Sequence, residues 1–222
     1  MKPLRIALTK GRLEKTTIEL LEKIGYNCDE VKNKGRRLIL CDEVKNKGRR
    51  LILPIGNNDF EVVLAKAADV ITYVEHGVCD LGVVGKDTIL ENGSSFYELL
   101  DLGFGKCRFA LATKKDSDFY GGYKTKTIAS KYPNVTRAFF DDKNMDVRII
   151  KIEGSVELAP LVGLADGIVD IVETGSTLKA NGLEVIEWVC DISARLIANT
   201  ASLKLRKAEI EELQKKLEAV TK

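Results

Sequence analysis

Residues 157–183, ELAPLVGLADGIVDIVETGSTLKANGL, contain the stretch that decides the fold. Residues 167–172 form a short, mostly apolar run between a predicted helix and a polar turn, which predicts a strand. The polar turn 173–177 comes next, and a helix is expected to begin near Leu178. A strand that passes through a tight turn into a helix is the repeating unit of α/β proteins with parallel sheets.

The turn after this strand has the composition of an anion-binding loop. Backbone N–H groups and hydroxyls of Thr174, Gly175, Ser176 and Thr177 can converge on one anion, and glycine lets the backbone approach a phosphate closely. Asp170 is placed to accept hydrogen bonds from sugar hydroxyls beside a bound phosphate. The alternative is that Thr-Gly-Ser-Thr is only a helix N-cap, a position where Thr and Ser are favoured.

A family resemblance distinguishes between these alternatives. The spacing of Glu157, Gly163, Ala165, Asp170 and Thr174–Leu178 resembles the signature of ATP phosphoribosyltransferase, the enzyme of the first step of histidine biosynthesis. Five other blocks resemble the same family in the same order: LTKGRL at 8–13, YVEHGVCDLGVVGKD at 73–87, LLDLGFGKCRFALAT at 99–113, EGSVELAP at 153–160 and SARLIANTAS at 193–202.

The resemblance implies a reaction and a set of roles. The family joins N1 of ATP to C1 of phosphoribosyl pyrophosphate and releases pyrophosphate. Thr174, Gly175, Ser176 and Thr177 are then expected to bind the 5-phosphate, and Asp170 the ribose hydroxyls. Glu157 either contacts the ribose or stabilises its own turn as a capping-box acid. Mg²⁺ is expected with the pyrophosphate of the substrate, and no residue is assigned as a metal ligand.

Other turns offer further contacts. Lys10 and Arg12 follow the apolar run 4–8 in a strand–turn–helix unit; they are either surface charges or, as the resemblance implies, contacts to the polyphosphate. Gly82 and Gly85 near the end of a predicted strand either admit a purine ring or allow helix packing. Gly154 and Ser155 form another strand-to-helix turn, whose backbone amides could face the same ligand.

Thirteen residues occur twice in tandem: CDEVKNKGRRLIL at 28–40 and again at 41–53. The copies are identical, which indicates a recent or engineered duplication, and two short copies do not make a solenoid. Arg36–Arg37 and Arg49–Arg50 are therefore rival candidates for a basic substrate-binding position. We predict that the second copy, with Arg49 and Arg50, takes that position, because a hairpin from 50–53 to 60–64 needs only a short loop.

Composition excludes several functional classes. The net charge of +2 gives no general case for nucleic acid or membrane binding, and no apolar run approaches about 18 residues. The N-terminal apolar run is too short for a secretion signal. Five cysteines without CxxC spacing and a single histidine, His76, which we reject as catalytic, argue against zinc. Reduced thiols and a cytoplasmic location are expected.

Alternating strands and helices predict an α/β protein of two lobes with a cleft between them. The resemblance implies the type II periplasmic-binding-protein architecture. We expect lobe I, on the nucleotide side, over 1–104 plus 184–222, and lobe II, with the phosphoribosyl pyrophosphate loop, over 105–183. Residues 99–113 are expected to cross between the lobes as a strand, and 202–222 to form an amphipathic helix.

The resemblance is to the short form of the family. It implies a homodimer working with a separate regulatory subunit similar to histidyl-tRNA synthetase, with no nucleic acid or membrane partner. Two competing functions stay open: a two-lobed small-molecule binding protein without catalysis, and a phosphoribosyltransferase that acts on another base.

Overall fold

The computed structural model describes residues 2–32, 52–56, 60–93 and 95–221. The chain divides into two compact units, Met1–Gly105 with Ser193–Lys222, and Lys106–Ile192. The described elements are, in chain order, β1 (Leu4–Thr9), α1 (Arg12–Lys23), α2 (Asp29–Lys32), β2 (Ile52–Ile55), β3 (Phe60–Ala65), α3 (Ala67–Glu75), β4 (Leu81–Gly85), α4 (Lys86–Asn92), β5 (Phe96–Asp101), β6 (Cys107–Lys114), β7 (Lys126–Ser130), α5 (Pro133–Asp142), β8 (Val147–Lys151), α6 (Leu158–Leu161), β9 (Gly167–Val172), α7 (Ser176–Ala180), β10 (Leu183–Ile192), β11 (Ala194–Asn199), α8 (Thr200–Leu205) and α9 (Lys207–Thr221).

The first unit contains a sheet of strand order β2-β3-β1-β4-β11-β5. Strands β3, β1 and β4 are parallel, so their carboxyl ends meet at one edge. Side chains of β1 enter different apolar clusters on the two faces, with Ile6 and Leu8 in one and Ala7 in the other. Burial on both faces explains why this strand is a continuous apolar run.

The second unit has a sheet of order β10-β6-β9-β7-β8, in which β9, β7 and β8 are parallel. This sheet too has apolar clusters on both faces: Ala129 and Ile168 belong to one, and their chain neighbours Ile128 and Val169 to the other. The strand predicted over 167–172 is confirmed as β9. Two α/β units built on mixed sheets confirm the predicted fold class.

Two details of the predicted organisation differ from the structure. Residues 99–113 are not one crossing strand: β5 and β6 belong to different sheets, and the chain between them bends through Gly103 and Gly105, both at positive φ. The predicted boundary at 183/184 also differs, because β10 pairs with β6 over its full length and therefore belongs to the second unit. The ten-residue strand β10 is therefore assigned to the second unit by its pairing with β6, although β11 of the first unit follows it directly in the sequence.

Part of the duplicated segment lies within the described residues. Cys28–Lys32 of the first copy include helix α2, whose Val31 is buried beside Cys28 in the first unit. At the end of the second copy, Ile52 and Leu53 pair with Val63 and Val62, so this part of the expected hairpin is confirmed. Arg36, Arg37, Arg49 and Arg50 lie outside the described residues.

Candidate functional site

The second unit brings three strand-to-helix connections to one sheet edge. Register pairs Ser130 with Lys151 and Ala129 with Ile168, so β7, β8 and β9 end side by side. The connection after β9 holds the Thr-Gly-Ser-Thr turn, and the one after β8 holds Gly154, Ser155 and Glu157. Ligands of open α/β sheets bind at this edge.

The loop after β9 has the geometry of an anion cradle. Gly175 has φ 72° and ψ 5°, a left-handed conformation that glycine adopts without steric cost. The Thr174 and Ser176 hydroxyl oxygens are 3.0 Å apart, and the Ser176 N–H donates to Thr174 Oγ1 at 3.4 Å. Leu178 is buried and anchors the loop, whereas Thr174, Ser176 and Thr177 are exposed.

Helix α7 differs from its prediction. It begins at Ser176, two residues before the predicted start near Leu178, and has only five residues. A helix this short has a small dipole, so the loop's own N–H groups and hydroxyls have to supply most of the attraction for an anion. The first turn of α7 contains no acidic residue.

Asp170 lies on β9 just before this loop and is half-buried. Its Oδ1 accepts a hydrogen bond from the N–H of Ile171 at 2.8 Å. Burial, together with the negative charge of Glu157, raises the pKa of Asp170 above its usual range, while the Ile171 N–H and Lys131 oppose the rise. A carboxylate in such surroundings is a strong acceptor for hydroxyl groups.

Glu157 is the N-cap residue of α6, and its side chain makes no capping hydrogen bond. The capping-box role therefore finds no support in the described turn, and the negative charge of Glu157 contributes to the raised pKa of Asp170. In the preceding turn, Ser155 has φ 37°, a conformation that non-glycine residues seldom adopt. Gly154 and Ser155 are both exposed.

Sequence reasoning missed Lys131, the first residue after β7. Ala129 of β7 pairs with Ile168 of β9, and Lys131 and Asp170 each lie two residues beyond this pair. The rule applied to Lys10 would also have identified Lys131. A basic residue directly after a strand of a parallel sheet lies at the edge where ligands bind.

The corresponding edge of the first unit contains Lys10 and Arg12. Lys10 donates its N–H to Ala65 O at 2.9 Å, and the Thr9 hydroxyl donates to Val83 O at 2.9 Å, so the end of β1 is tied to both neighbouring strands. Both basic side chains are exposed. Lys66 follows β3 at the same edge and is exposed too; it was also missed.

The surroundings of Gly82 and Gly85 support the packing alternative, and their predicted role beside a purine stays a prediction. A Cβ on Gly82 would lie 2.8 Å from Val74 Cγ2 and 2.9 Å from Val70 Cγ1, so its missing side chain makes room for α3. A Cβ on Gly85 would lie 2.0 Å from Asp87 Oδ1. Both glycines are buried.

Within the described residues, no three His, Cys, Asp or Glu side chains are grouped to hold a metal ion. None of the described helices combines the length and the apolar character that crossing a bilayer requires.

Residues 66–219 match the family model described as HisG: ATP phosphoribosyltransferase. A Clostridium kluyveri protein named ATP phosphoribosyltransferase is 57% identical over 217 residues, which cover 98% of this chain and 93% of the relative. A Clostridium acetobutylicum protein of the same name is 54% identical over 216 residues, covering 97% and 94%.

Solved structures give the same result. One chain of the ATP phosphoribosyl transferase (HisG:HisZ) complex from Thermotoga maritima superposes with a TM-score of 0.78 at 32% identity, over 98% of each chain. The periplasmic aliphatic sulphonate binding protein SsuA from Escherichia coli superposes with a TM-score of 0.61 at 11% identity, over 100% of this chain and 73% of SsuA. The latter likeness is one of fold.

Proposed function

The chain belongs to the ATP phosphoribosyltransferase family, and we infer that it transfers the phosphoribosyl group of phosphoribosyl pyrophosphate to N1 of ATP. The products are N1-(5-phosphoribosyl)-ATP and pyrophosphate, and the reaction is the first step of histidine biosynthesis. The match covers nearly the whole chain and nearly the whole of its relatives, so the activity applies to the chain as a unit.

One observation carries the assignment of the donor site. The family signature folds into a strand end, Asp170, and a glycine-containing loop whose hydroxyls are exposed. We assign the 5-phosphate to Thr174, Gly175, Ser176 and Thr177, and the ribose hydroxyls to Asp170. Glu157 is assigned to the ribose as well, and the exposed turn at Gly154 and Ser155 to further backbone contacts.

Lys10 and Arg12 are assigned to the polyphosphate of the substrates. They are exposed at the edge where the parallel strands of the first unit end, and Lys66 adds a third cation there. Arg49 and Arg50 keep the role proposed from the sequence, because the end of their copy enters the sheet as β2. Basic side chains are needed here, since the net charge of +2 provides little general attraction for polyanions.

The chemistry is displacement of pyrophosphate from the anomeric carbon by a purine nitrogen. N1 of adenine carries no proton, so the protein has to position the nitrogen in line and stabilise charge, and it needs no strong general base. Magnesium enters as the Mg²⁺ complex of the pyrophosphate substrate, which neutralises the leaving group.

We propose that the chain acts as a homodimer with a separate regulatory subunit, in the cytoplasm. Support for the subunit comes from the Thermotoga maritima chain, which was solved as a HisG:HisZ complex and matches this chain over 98% of both lengths.

Pyrophosphate release in the presence of phosphoribosyl pyrophosphate, Mg²⁺ and single nucleotides tests the function. Release that depends on ATP is the expected result, measured with and without the regulatory subunit. Release with a different base in place of ATP would indicate another phosphoribosyltransferase. Tight binding of the sugar donor without any release would favour the binding-protein alternative.

A further inference from the structure

Lys131 extends the donor site beyond the residues of the family signature. We propose that its ammonium group binds a phosphate group of the phosphoribosyl donor beside Asp170. This proposal rests on the proposed function, since it names a further residue of the same site.

Lys131 and Asp170 follow paired residues of neighbouring strands. Strands β7 and β9 are parallel, with Ala129 opposite Ile168, and Lys131 and Asp170 each lie two residues beyond this pair. Between them, the Ser130 hydroxyl of β7 donates to Val169 O of β9 at 2.6 Å, which keeps the two chain segments close at this point. Ala129 and Ile168 share one apolar cluster with Val156 of the β8–α6 connection and Leu178 of α7. These two strand residues therefore lie on the sheet face that packs against the connections assigned to the donor.

A buried hydroxyl holds the backbone at Lys131 in this place. Ser130 is fully buried; its Oγ donates to Val169 O at 2.6 Å and accepts from the Tyr132 N–H at 2.9 Å. The two bonds span Lys131 on the β7 side and end on the residue before Asp170. On the other side, the Ile152 N–H donates to Ser130 O at 3.0 Å. These hydrogen bonds fix the backbone on both sides of Lys131, between β8 and β9.

The Lys131 side chain is exposed and available. Within the described residues its ammonium group lies in no ion pair, and its nearest recorded partner is the Tyr132 ring, with Nζ 5.9 Å from the centroid. The nearby Lys151, by contrast, is paired with Glu153 at 3.0 Å. The Lys131 charge also lowers the pKa of Asp170, which agrees with the placement from register.

The negative charge at this sheet edge favours a role for a cation there. Four carboxylates lie at the edge: Asp170 near the end of β9, and Glu153, Glu157 and Glu173 on the connections. A phosphate group carries between about −1.5 and −2 charges at pH 7, and the donor has several. A lysine is a flexible point charge that binds phosphate well, and at this edge Lys131 can offset repulsion between the donor and these acids.

Calorimetric binding of phosphoribosyl pyrophosphate to Lys131→Gln tests the proposal. We expect the dissociation constant to rise about tenfold, as for loss of one hydrogen bond to a charged group. Lys114→Gln is the matched control, because Lys114 is an exposed lysine of the same sheet at the opposite edge. It should bind like the wild type, and Lys131→Arg should recover most of the affinity.

Binding of ribose 5-phosphate and of inorganic pyrophosphate to the same variants shows which group Lys131 contacts, since weaker binding of either one supports the proposal. Wild-type binding by Lys131→Gln with the donor and with both fragments would overturn it while leaving the proposed function intact. If the wild-type protein binds no donor, the proposed function fails, and this inference fails with it.

Discussion

The loops after β1 and β9 look alike in sequence but differ in what they offer an anion. Each places a glycine at positive φ between a strand of a parallel sheet and a helix, Gly11 at 100° and Gly175 at 72°. In the first loop, Glu14 in the first turn of α1 accepts a hydrogen bond from the Gly11 N–H at 3.2 Å. In the second, the first turn of α7 has no acid and the hydroxyls are exposed.

This difference indicates two modes of phosphate recognition. The first loop has part of its backbone occupied by its own carboxylate, so it can contribute mainly the charges of Lys10 and Arg12. The second loop can contribute N–H groups and hydroxyls, which fit one phosphate geometry closely. Charges attract polyanions from a distance with little orientation, whereas a backbone cradle orients a single group. We expect substitutions in the second loop to affect orientation, and therefore rate, more strongly.

The largest effect is expected from Asp170→Asn. It removes the charge that accepts hydrogen bonds from the ribose and should lower kcat/KM by about 100-fold, or about 2.7 kcal/mol. Lys10→Gln in the first loop should lower kcat/KM by about tenfold, since it removes an exposed charge. Steady-state kinetics of both variants at saturating Mg²⁺ give the comparison. Equal losses would contradict the distinction between the loops.

Alanine in place of the two glycines should separate stability from function. Gly11 has ψ −131°, a region open essentially to glycine, so Gly11→Ala should cost about 2–3 kcal/mol of unfolding free energy. Gly175 is in the left-handed helical region, and Gly175→Ala should cost about 1 kcal/mol. Urea denaturation measures both costs.

Donor binding should show the opposite order. Gly175→Ala alters the loop assigned to the 5-phosphate, so the KM for phosphoribosyl pyrophosphate should rise more than in Gly11→Ala. Among the described residues, no atom outside the chain neighbours of Gly11 lies within 4 Å of the added Cβ, which makes that variant a test of backbone strain. A larger rise in KM for Gly11→Ala would reverse the roles given to the two loops.

Much of the fold was predictable because it depends on local patterns. Strand β9 was predicted to the residue, since a six-residue apolar run lies between turn residues. Membership of a sheet was harder: β10 follows the loop of the second unit and precedes β11 of the first, and only its pairing with β6 decides where it belongs. Such pairing depends on residues 69 to 85 positions away in the sequence.

The site was predictable where a motif carried it and less so elsewhere. The Thr174–Thr177 loop was found from composition and signature together. Lys131 was missed because its place beside Asp170 follows from the order β9-β7-β8, which the sequence does not contain. The space beside Gly82 is filled by Val70 and Val74 of α3 and by Ile197 of β11, and the contribution of β11 could not be predicted from the local sequence.

Removal of one duplicated copy tests how the additional thirteen residues affect the stability of the protein. Deletion of 41–53 or of 28–40 gives the same chain, because the copies are identical. The connection between α2 and β2 would shorten from 19 residues to six. Loop-closure entropy predicts a gain of about 1 kcal/mol in unfolding free energy. Thermal or urea unfolding measures this gain, and a loss would mean that the additional residues make stabilising contacts in the native state.

The smallest effect is expected from Glu157→Gln, read in the pH profile. Burial is the main cause of the raised pKa of Asp170, and Glu157 contributes less. With Asp170 in its proposed role, activity requires the ionised carboxylate and should fall as pH drops through that raised pKa. Removing the negative neighbour lowers the pKa, and the acidic limb of kcat/KM should move to lower pH. Lys131→Gln removes a positive neighbour and should move the same limb to higher pH. Opposite shifts of the acidic limb in the two variants would mean that Glu157 and Lys131 both act on the Asp170 carboxylate. Shifts in the same direction would contradict this arrangement of charges around Asp170.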